Sequence, residues 1–129
     1  MCPGFRSAPL RVLIVDDEKI IADTLAMIFQ LAGYRAVAAY NATDAFKQSV
    51  AFLPDLLITD LVMPDLHGIE LAAKVQASCP SCKVLLLSGQ IEAADPLITA
   101  VFDFAHKPIN PEDLLTKAHV LITGTSEQR

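Results

Sequence analysis

Short apolar runs alternate with amphipathic segments along the whole chain, and this alternation is the strongest constraint on its fold. Five runs are too short for helices and carry apolar residues at consecutive positions, so they are predicted to be strands buried on both faces. They are residues 10–15, 34–39, 55–60, 83–87 and 101–105. Buried strands separated by helices predict a doubly wound α/β fold, with a parallel sheet covered by helices on both sides.

The segments between these runs are predicted to be helices because their apolar residues recur at helical spacing. Asp17, Asn41 and Asn110 are expected to cap the first, second and last helices, and Gly68 to open the third. Asp95 before a proline predicts a short fourth helix ending near residue 100, although residues 90–94 could also be helical. The residues expected to face inward are Ile21, Leu25, Ile28 and Leu31 in the first helix; Ala42, Ala45, Phe46, Ser49 and Val50 in the second; Leu71, Ala72, Ala73 and Val75 in the third; and Leu114, Ala118 and Leu121 in the last.

Length and composition predict one domain. At 129 residues and 53% apolar content the chain can bury a core, and we expect it to span residues 10–123, between a flexible segment 1–9 and a polar tail 124–129. Apolar runs are far shorter than the ~20 residues of a membrane helix, and the first nine residues lack a signal peptide's apolar core, so a cytoplasmic location is expected. The net charge of −5 and the absence of a Lys/Arg cluster argue against a nucleic-acid surface.

Cys79 and Cys82 are separated by two residues, a spacing found in redox and metal motifs. Here the pair follows a predicted helix and precedes a strand, which is the reverse of the usual redox arrangement. Two thiols without further Cys or His at ligand spacing cannot complete a structural zinc site. Reduced thiols in a loop are therefore expected.

Polar residues follow the strands at the edge where doubly wound folds bind ligands. Asp16 and Asp17 follow the first strand, Asp60 ends the third, Ser88 follows the fourth, and Lys107 follows the fifth. Carboxylates ~5 Å apart repel by ~3 kcal/mol per pair at an effective dielectric of ~20, so the group needs positive charge. Lys107 supplies one charge, and the few hard oxygen ligands favour Mg²⁺, for which Mn²⁺ should substitute.

A metal, a lysine, a hydroxyl and a carboxylate are the components of phosphoryl transfer. Asp60 is the expected nucleophile, because a carboxylate can form an acyl phosphate. Asp16 and Asp17 would hold the metal, with the backbone carbonyl of Val62 as a further ligand. Lys107 and the Ser88 hydroxyl would bind phosphoryl oxygens.

These residues resemble the receiver domain of bacterial response regulators. The resemblance covers residues 10–123 and rests on the Asp16–Asp17 pair, on Asp60 followed by Met63–Pro64 and Gly68, on Ser88–Gly89, and on Lys107–Pro108, in this order on the expected strands. It implies a flavodoxin-like sheet in the order 2-1-3-4-5. It also implies that Asp60 receives a phosphoryl group from a sensor histidine kinase or a histidine phosphotransfer protein, in a Mg²⁺-dependent reaction.

The resemblance further implies slow self-hydrolysis, so that the protein catalyses only its own phosphorylation and dephosphorylation. It implies a switch in which Ser88 moves toward the phosphate and Phe104, three positions before the lysine, turns inward. Val62 stands where many relatives carry a polar side chain that influences hydrolysis, so a long-lived phosphoryl group is expected. The short interval between Ser88 and Lys107 leaves open how a homodimer would form.

Three alternatives remain at this stage. The chain could be a receiver fragment of a larger regulator whose output domain lies elsewhere, and its downstream partner is not apparent. It could be a protein-interaction scaffold that is never phosphorylated. An aspartyl phosphatase is disfavoured, because such enzymes place a second acid two residues after the nucleophile, where this chain has Val62.

Overall fold

Five parallel strands form one sheet in the computed structural model, which describes residues 9–89, 103–108 and 110–124. The strand order is β2-β1-β3-β4-β5, so the predicted fold is confirmed. The elements are β1 (Arg11–Val15), α1 (Lys19–Leu31), β2 (Arg35–Ala39), α2 (Ala42–Phe52), β3 (Leu56–Asp60), α3 (Gly68–Ser78), β4 (Lys83–Ser88), β5 (Asp103–His106) and α4 (Pro111–Thr123). The short helix expected near residues 96–100, and residues 101–102 of the predicted fifth strand, lie outside the described residues.

The central strands are buried on both faces, and successive side chains enter different core layers because side-chain direction alternates along a strand. One layer packs against α1 and α4 and contains Val12, Ile14, Leu56, Ile58, Leu85 and Leu87. The other packs against α2 and α3 and contains Leu13, Val15, Leu57, Val84 and Leu86. Burial of both faces explains why these strands have continuous apolar sequences rather than alternating ones.

The inward faces of the helices differ in part from those predicted. Helix α1 buries Ala22, Leu25, Ala26 and Phe29, whereas Leu31 is 82% exposed, so its predicted burial was wrong. The two alanines allow close approach to the sheet, which turns this face inward. In α2 and α3 the predictions also failed for Val50, which is 55% exposed, and for Ala73, which is exposed.

Two predicted caps are present and one is not. The Asn41 side chain accepts a hydrogen bond from the Asp44 amide (2.8 Å), and the Asn110 side chain accepts one from the Glu112 amide (2.9 Å). Helix α1 instead has Glu18 at its cap position, with no side-chain cap bond, so the prediction that Asp17 caps it was wrong. The physical reason is that α1 begins at Lys19, one residue too late for Asp17 to occupy the cap position, and Asp16 accepts the Glu18 amide at 2.9 Å.

No helix within the described part of the chain combines the length and apolar character needed to cross a bilayer.

Candidate functional site

The carboxyl ends of the strands bring the predicted polar residues to one edge of the sheet. Parallel pairing places Asp60 opposite Leu87, and Ser88 opposite His106. Two further backbone hydrogen bonds continue the pairing beyond the strands, from the Leu61 amide to the Leu87 carbonyl (2.9 Å) and from the Lys107 amide to the Ser88 carbonyl (2.8 Å). The residues that follow β3, β4 and β5 are therefore held side by side by the sheet itself.

Asp16, Asp17 and Asp60 form an acidic cluster at this edge. Each offers a carboxylate oxygen, and these oxygens lie within 4.8 Å of one another. Asp16 is fully buried, the Asp60 side chain is 15% exposed, and Asp17 is exposed to solvent. Three oxygen donors at this spacing, with one side open to water, suit a hard divalent cation that keeps several water ligands.

Lys107 bridges two members of the acidic cluster. Its Nζ lies 2.9 Å from Asp16 Oδ2 and 3.4 Å from Asp60 Oδ1, although Lys107 and Asp16 are 91 positions apart in sequence. Burial alone favours the neutral amine, but the hydrogen bond to Asp16 and the charges of Asp60 and Asp16 outweigh it and raise the pKa of Lys107. The lysine therefore remains a permanent cation between two carboxylates, beside the cis peptide bond that joins it to Pro108.

The surroundings of Asp60 raise its pKa. Desolvation raises the pKa of Asp60, Lys107 opposes this effect, and the negative charges of Asp16 and Asp17 add to it. The net direction is upward, so the ionised carboxylate is less favourable here than in water. Any cation bound at the cluster would relieve that cost.

Two hydrogen bonds hold the Asp16 carboxylate in place. Its Oδ1 accepts the hydrogen bond from the Glu18 amide, and its Oδ2 accepts the one from Lys107. Its own amide donates to the Ala39 carbonyl at 3.2 Å, which ties the end of β1 to the end of β2. The buried carboxylate therefore acts as a fixed support for the lysine.

The loop after β3 turns back sharply at Gly68. The Gly68 amide donates to the Leu61 carbonyl at 2.7 Å, and a Cβ at position 68 would collide with the Asp60 carbonyl oxygen. Leu61 and Met63 are buried, whereas the Val62 side chain between them is 67% exposed. The glycine is required because the helix packs directly onto the backbone that carries Asp60.

Two residues of this loop have roles that the sequence interpretation missed. Asp65 accepts hydrogen bonds from the Ala42 amide (3.1 Å) and the Thr43 amide (3.0 Å). This residue of the loop after β3 therefore provides an acceptor for the first backbone amides of α2. These bonds lower the pKa of Asp65. His67 caps α3, since its Nδ1 accepts from the Ile69 amide at 3.3 Å. A glutamate three positions after the cap was the available sequence signal for His67, whereas Asp65 offered none.

Ser88 ends β4, and Phe104 lies on β5, three positions before Lys107. Ser88 is buried at the end of β4. Phe104 is half-buried on β5, pairs in register with Leu86, and packs against the core layer beneath α2 and α3. Their proposed movement on phosphorylation stays a prediction.

The comparisons with curated proteins show one family. A family model described as the response regulator receiver domain matches residues 12–119. The chain is 27% identical over 120 residues to the probable transcriptional regulatory protein TcrX of Mycobacterium tuberculosis, covering 91% of this chain and 51% of the relative. It is 32% identical over 124 residues to the uncharacterized transcriptional regulatory protein YesN of Bacillus subtilis, covering 92% and 34%. The chain thus spans between a third and a half of these relatives' lengths.

Solved structures agree with this assignment. A CheY-like response regulator receiver domain protein from Methanospirillum hungatei superimposes with a TM-score of 0.82 at 29% identity, covering 91% of this chain and 96% of that one. A response regulator from Chloroflexus aurantiacus, described as putative, gives a TM-score of 0.79 at 29% identity, covering 89% and 98%. Because the match extends over the strands, the acidic edge and the lysine, this chain belongs to the response regulator receiver domain family, whose members are signalling domains of two-component systems.

Proposed function

We propose that this receiver domain accepts a phosphoryl group on Asp60 and thereby changes its affinity for a downstream partner. The observation that carries the proposal is the position of Lys107 Nζ between Asp16 and Asp60 within a cluster of three carboxylates. A carboxylate that is costly to ionise and lies beside a fixed cation is positioned to become an acyl phosphate, with its developing charge already balanced.

The donor set fits a magnesium ion. Asp16, Asp17 and Asp60 would hold Mg²⁺ through carboxylate oxygens, with the Val62 backbone carbonyl as a further ligand, and Mn²⁺ would substitute. When bound, the ion supplies positive charge next to the transferring phosphoryl oxygens. The fit rests on the spacing of the oxygens and on their hard chemistry.

The protein's own groups then have separate tasks. An oxygen of Asp60 attacks phosphorus, a P–O bond forms as the donor's P–N bond breaks, and the released imidazole takes a proton. Lys107 neutralises a phosphoryl oxygen, and the Ser88 hydroxyl binds another. In this proposal Ser88 and Phe104 move together afterwards and alter the surface next to β5.

The partners follow from the same chemistry. The donor would be the phosphohistidine of a sensor histidine kinase or of a histidine phosphotransfer protein, in the cytoplasm. Both relatives are described as transcriptional regulatory proteins, so we propose that the chain acts as the input part of a regulator, either as a stand-alone domain or within a longer protein. A net charge of −5 argues against DNA contact by this domain itself. Homodimerisation would be a further output of the switch.

The test is incubation with a small acyl phosphate and Mg²⁺, read out by intact mass. We expect one phosphate on the wild-type protein and on an Asp103→Asn control, in which the same change is made at an exposed residue of β5. We expect none on Asp60→Asn or in the presence of a chelator. An unmodified wild-type protein would favour the scaffold alternative, and phosphate on Asp60→Asn would place the acceptor elsewhere.

A further inference from the structure

The turn between α3 and β4 holds two cysteines that the proposed phosphoryl chemistry does not use. The Cys82 amide donates to the Cys79 carbonyl at 3.0 Å, which closes a β-turn through Pro80 and Ser81. The first and last Cα atoms of such a turn lie within about 7 Å, and disulfides bridge Cα atoms up to about 6.8 Å apart. This hydrogen bond therefore holds the two Cα atoms within or close to the range that a disulfide spans.

The neighbouring structure fixes both ends of this turn. The Cys79 amide donates to the Val75 carbonyl at 2.7 Å, which completes the last turn of α3. Gln76 Nε2 donates to the Cys82 carbonyl at 3.0 Å, so the helix also holds the residue that precedes β4. The two cysteines thus belong to a constrained segment.

Both side chains contact the same core layer, and their sulfurs lie near different backbone carbonyls, Cys79 Sγ 3.7 Å from that of Pro54 and Cys82 Sγ 3.3 Å from that of Lys83. Cys82 is 1% exposed within the apolar layer beneath α2 and α3, and Cys79 is half-buried against that same layer. Both thiols are free. Burial, followed by the charges of Cys79 and Asp55, raises the pKa of Cys82 to about 12. Cys79 is therefore the more exposed of the two residues, and we expect an oxidant to meet it first.

We propose that Cys79 and Cys82 are a modification site: a dithiol pair that closes to an intramolecular disulfide on exposure to a disulfide oxidant such as oxidised glutathione. The Cys79 thiolate attacks one sulfur of the oxidant, breaks its S–S bond and releases one glutathione, which takes a proton. Cys82 then loses its proton to solvent and its sulfur attacks the Cys79 sulfur, expelling the second glutathione. Two thiols are oxidised, and one glutathione disulfide is reduced to two thiols.

This site is separate from the acidic cluster. Lys83, directly after Cys82, pairs with Leu56 at the start of β3, whereas Asp60 ends that strand, about 13 Å farther along at ~3.3 Å per residue. Closure of the disulfide would tie the end of α3 to the start of β4 without touching the carboxylates. The oxidised protein should therefore accept phosphate on Asp60 as well as the reduced one, and the proposal does not depend on the proposed function.

The test uses the full chain with Cys2→Ser, so that only these two thiols remain. The native protein is equilibrated in glutathione redox buffers and quenched in acid, and its intact mass and tryptic peptides are measured. Cleavage after Lys74 and Lys83 leaves both cysteines in one peptide, residues 75–83. We expect that peptide to lose two hydrogen atoms at low ratios of oxidised to reduced glutathione.

Two single variants separate the steps. Cys82→Ala should stop at a glutathione adduct on Cys79, and Cys79→Ala should leave the buried Cys82 unmodified. Failure of the native protein to close, under conditions where the same chain in urea does close, would overturn the proposal. A stable glutathione adduct on Cys79 with Cys82 still reduced would also overturn it.

Discussion

Replacing Asp60 by asparagine should stabilise the metal-free protein, even though it removes the proposed acceptor. The reason is that the fold holds three carboxylates together and supplies one lysine to balance them. The substitution removes one of the three negative charges while keeping nearly the same shape. The direction follows from the raised pKa of Asp60, which shows that the fold disfavours its ionised form.

The magnitude can be worked from the distances. Two unit charges 4.8 Å apart, the upper limit for these carboxylate oxygens, repel by about 3.5 kcal/mol at an effective dielectric of ~20, and Lys107 at 3.4 Å attracts Asp60 by about 5 kcal/mol. Repulsion by Asp16 and Asp17 together thus exceeds the attraction by about 2 kcal/mol. Water screens the exposed Asp17 and weakens its repulsion, whereas burial of Asp60 makes its ionised form still less favourable. We therefore expect the free energy of unfolding to be about 1–2 kcal/mol higher for Asp60→Asn than for the wild-type protein.

The assay is urea unfolding of the wild-type protein and Asp60→Asn at pH 7 with a chelator present. Protonation removes the charge on Asp60, so the difference should close as the pH falls through the raised pKa of Asp60 toward its ordinary value of 3.8. Added Mg²⁺ should also narrow the difference, because the wild-type protein gains more from binding the ion.

Asp103→Asn is the matched control, since it makes the same change at an exposed position and should leave stability nearly unchanged. If Asp60→Asn proved less stable than the wild-type protein without metal, attraction to Lys107 would dominate the site. The negative charge of the cluster would then be balanced by Lys107 alone, contrary to this prediction.

Four further outcomes are expected. Gly68→Ala should lower the free energy of unfolding in urea by about 1–3 kcal/mol, because the new methyl group meets the Asp60 carbonyl. Gly89→Ala is the control and should lower it far less, since a Cβ at position 89 would have no atom within 4 Å. Equal losses for the two variants would argue against the close approach at Gly68. Lys107→Met should unfold with a free energy about 1–3 kcal/mol lower than that of the wild-type protein at pH 7. The difference between the two proteins should close only as the pH rises through the raised pKa of Lys107, above 10.5. A difference that is lost below pH 9 would contradict this prediction. Asp65→Ala should lower the free energy of unfolding by about 1 kcal/mol at neutral pH, because the α2 amides lose their acceptor. This loss should disappear as the pH falls through the lowered pKa of Asp65 and the carboxylate becomes protonated. A loss that persists in acid would indicate another cause. Val62→Asn should shorten the lifetime of phosphate on Asp60, measured by phosphate release, because a polar side chain at this exposed position can orient water; an unchanged lifetime would remove Val62 from the argument.

Much of the fold was accessible from local patterns. Continuous apolar runs predicted the buried strands, and Asn41 and Asn110 were recognisable as caps because a cap acts on amides two or three positions away. The polar strand ends predicted the site, since the carboxyl ends of parallel strands must share one edge. These features depend on neighbours in sequence or on a general property of the fold class.

The sequence predictions that were wrong concern burial and capping, which depend on how the helices pack. Leu31 and Val50 fit the helical period yet face solvent, because the turn of each helix about its axis is set by how its small residues approach the sheet. Asp17 resembled a cap, but Asp16 reaches the Glu18 amide instead. In these cases the residue fits the local pattern, but that pattern does not contain the packing that decides its position.

The amino-acid sequence by itself determined which chemical groups lie at the carboxyl edge of the sheet, namely Asp16, Asp17, Asp60, Ser88 and Lys107. Only the tertiary structure decided that Lys107 contacts Asp16 and Asp60 at the same time. It also decided that Asp65 caps α2, a helix that precedes it in the chain. The physical reason is that hydrogen bonds and ion pairs act over about 3 Å, whereas these partners are 91 and 23 positions apart in the chain. Strand register and loop closure set such distances, and no local pattern of residues contains them.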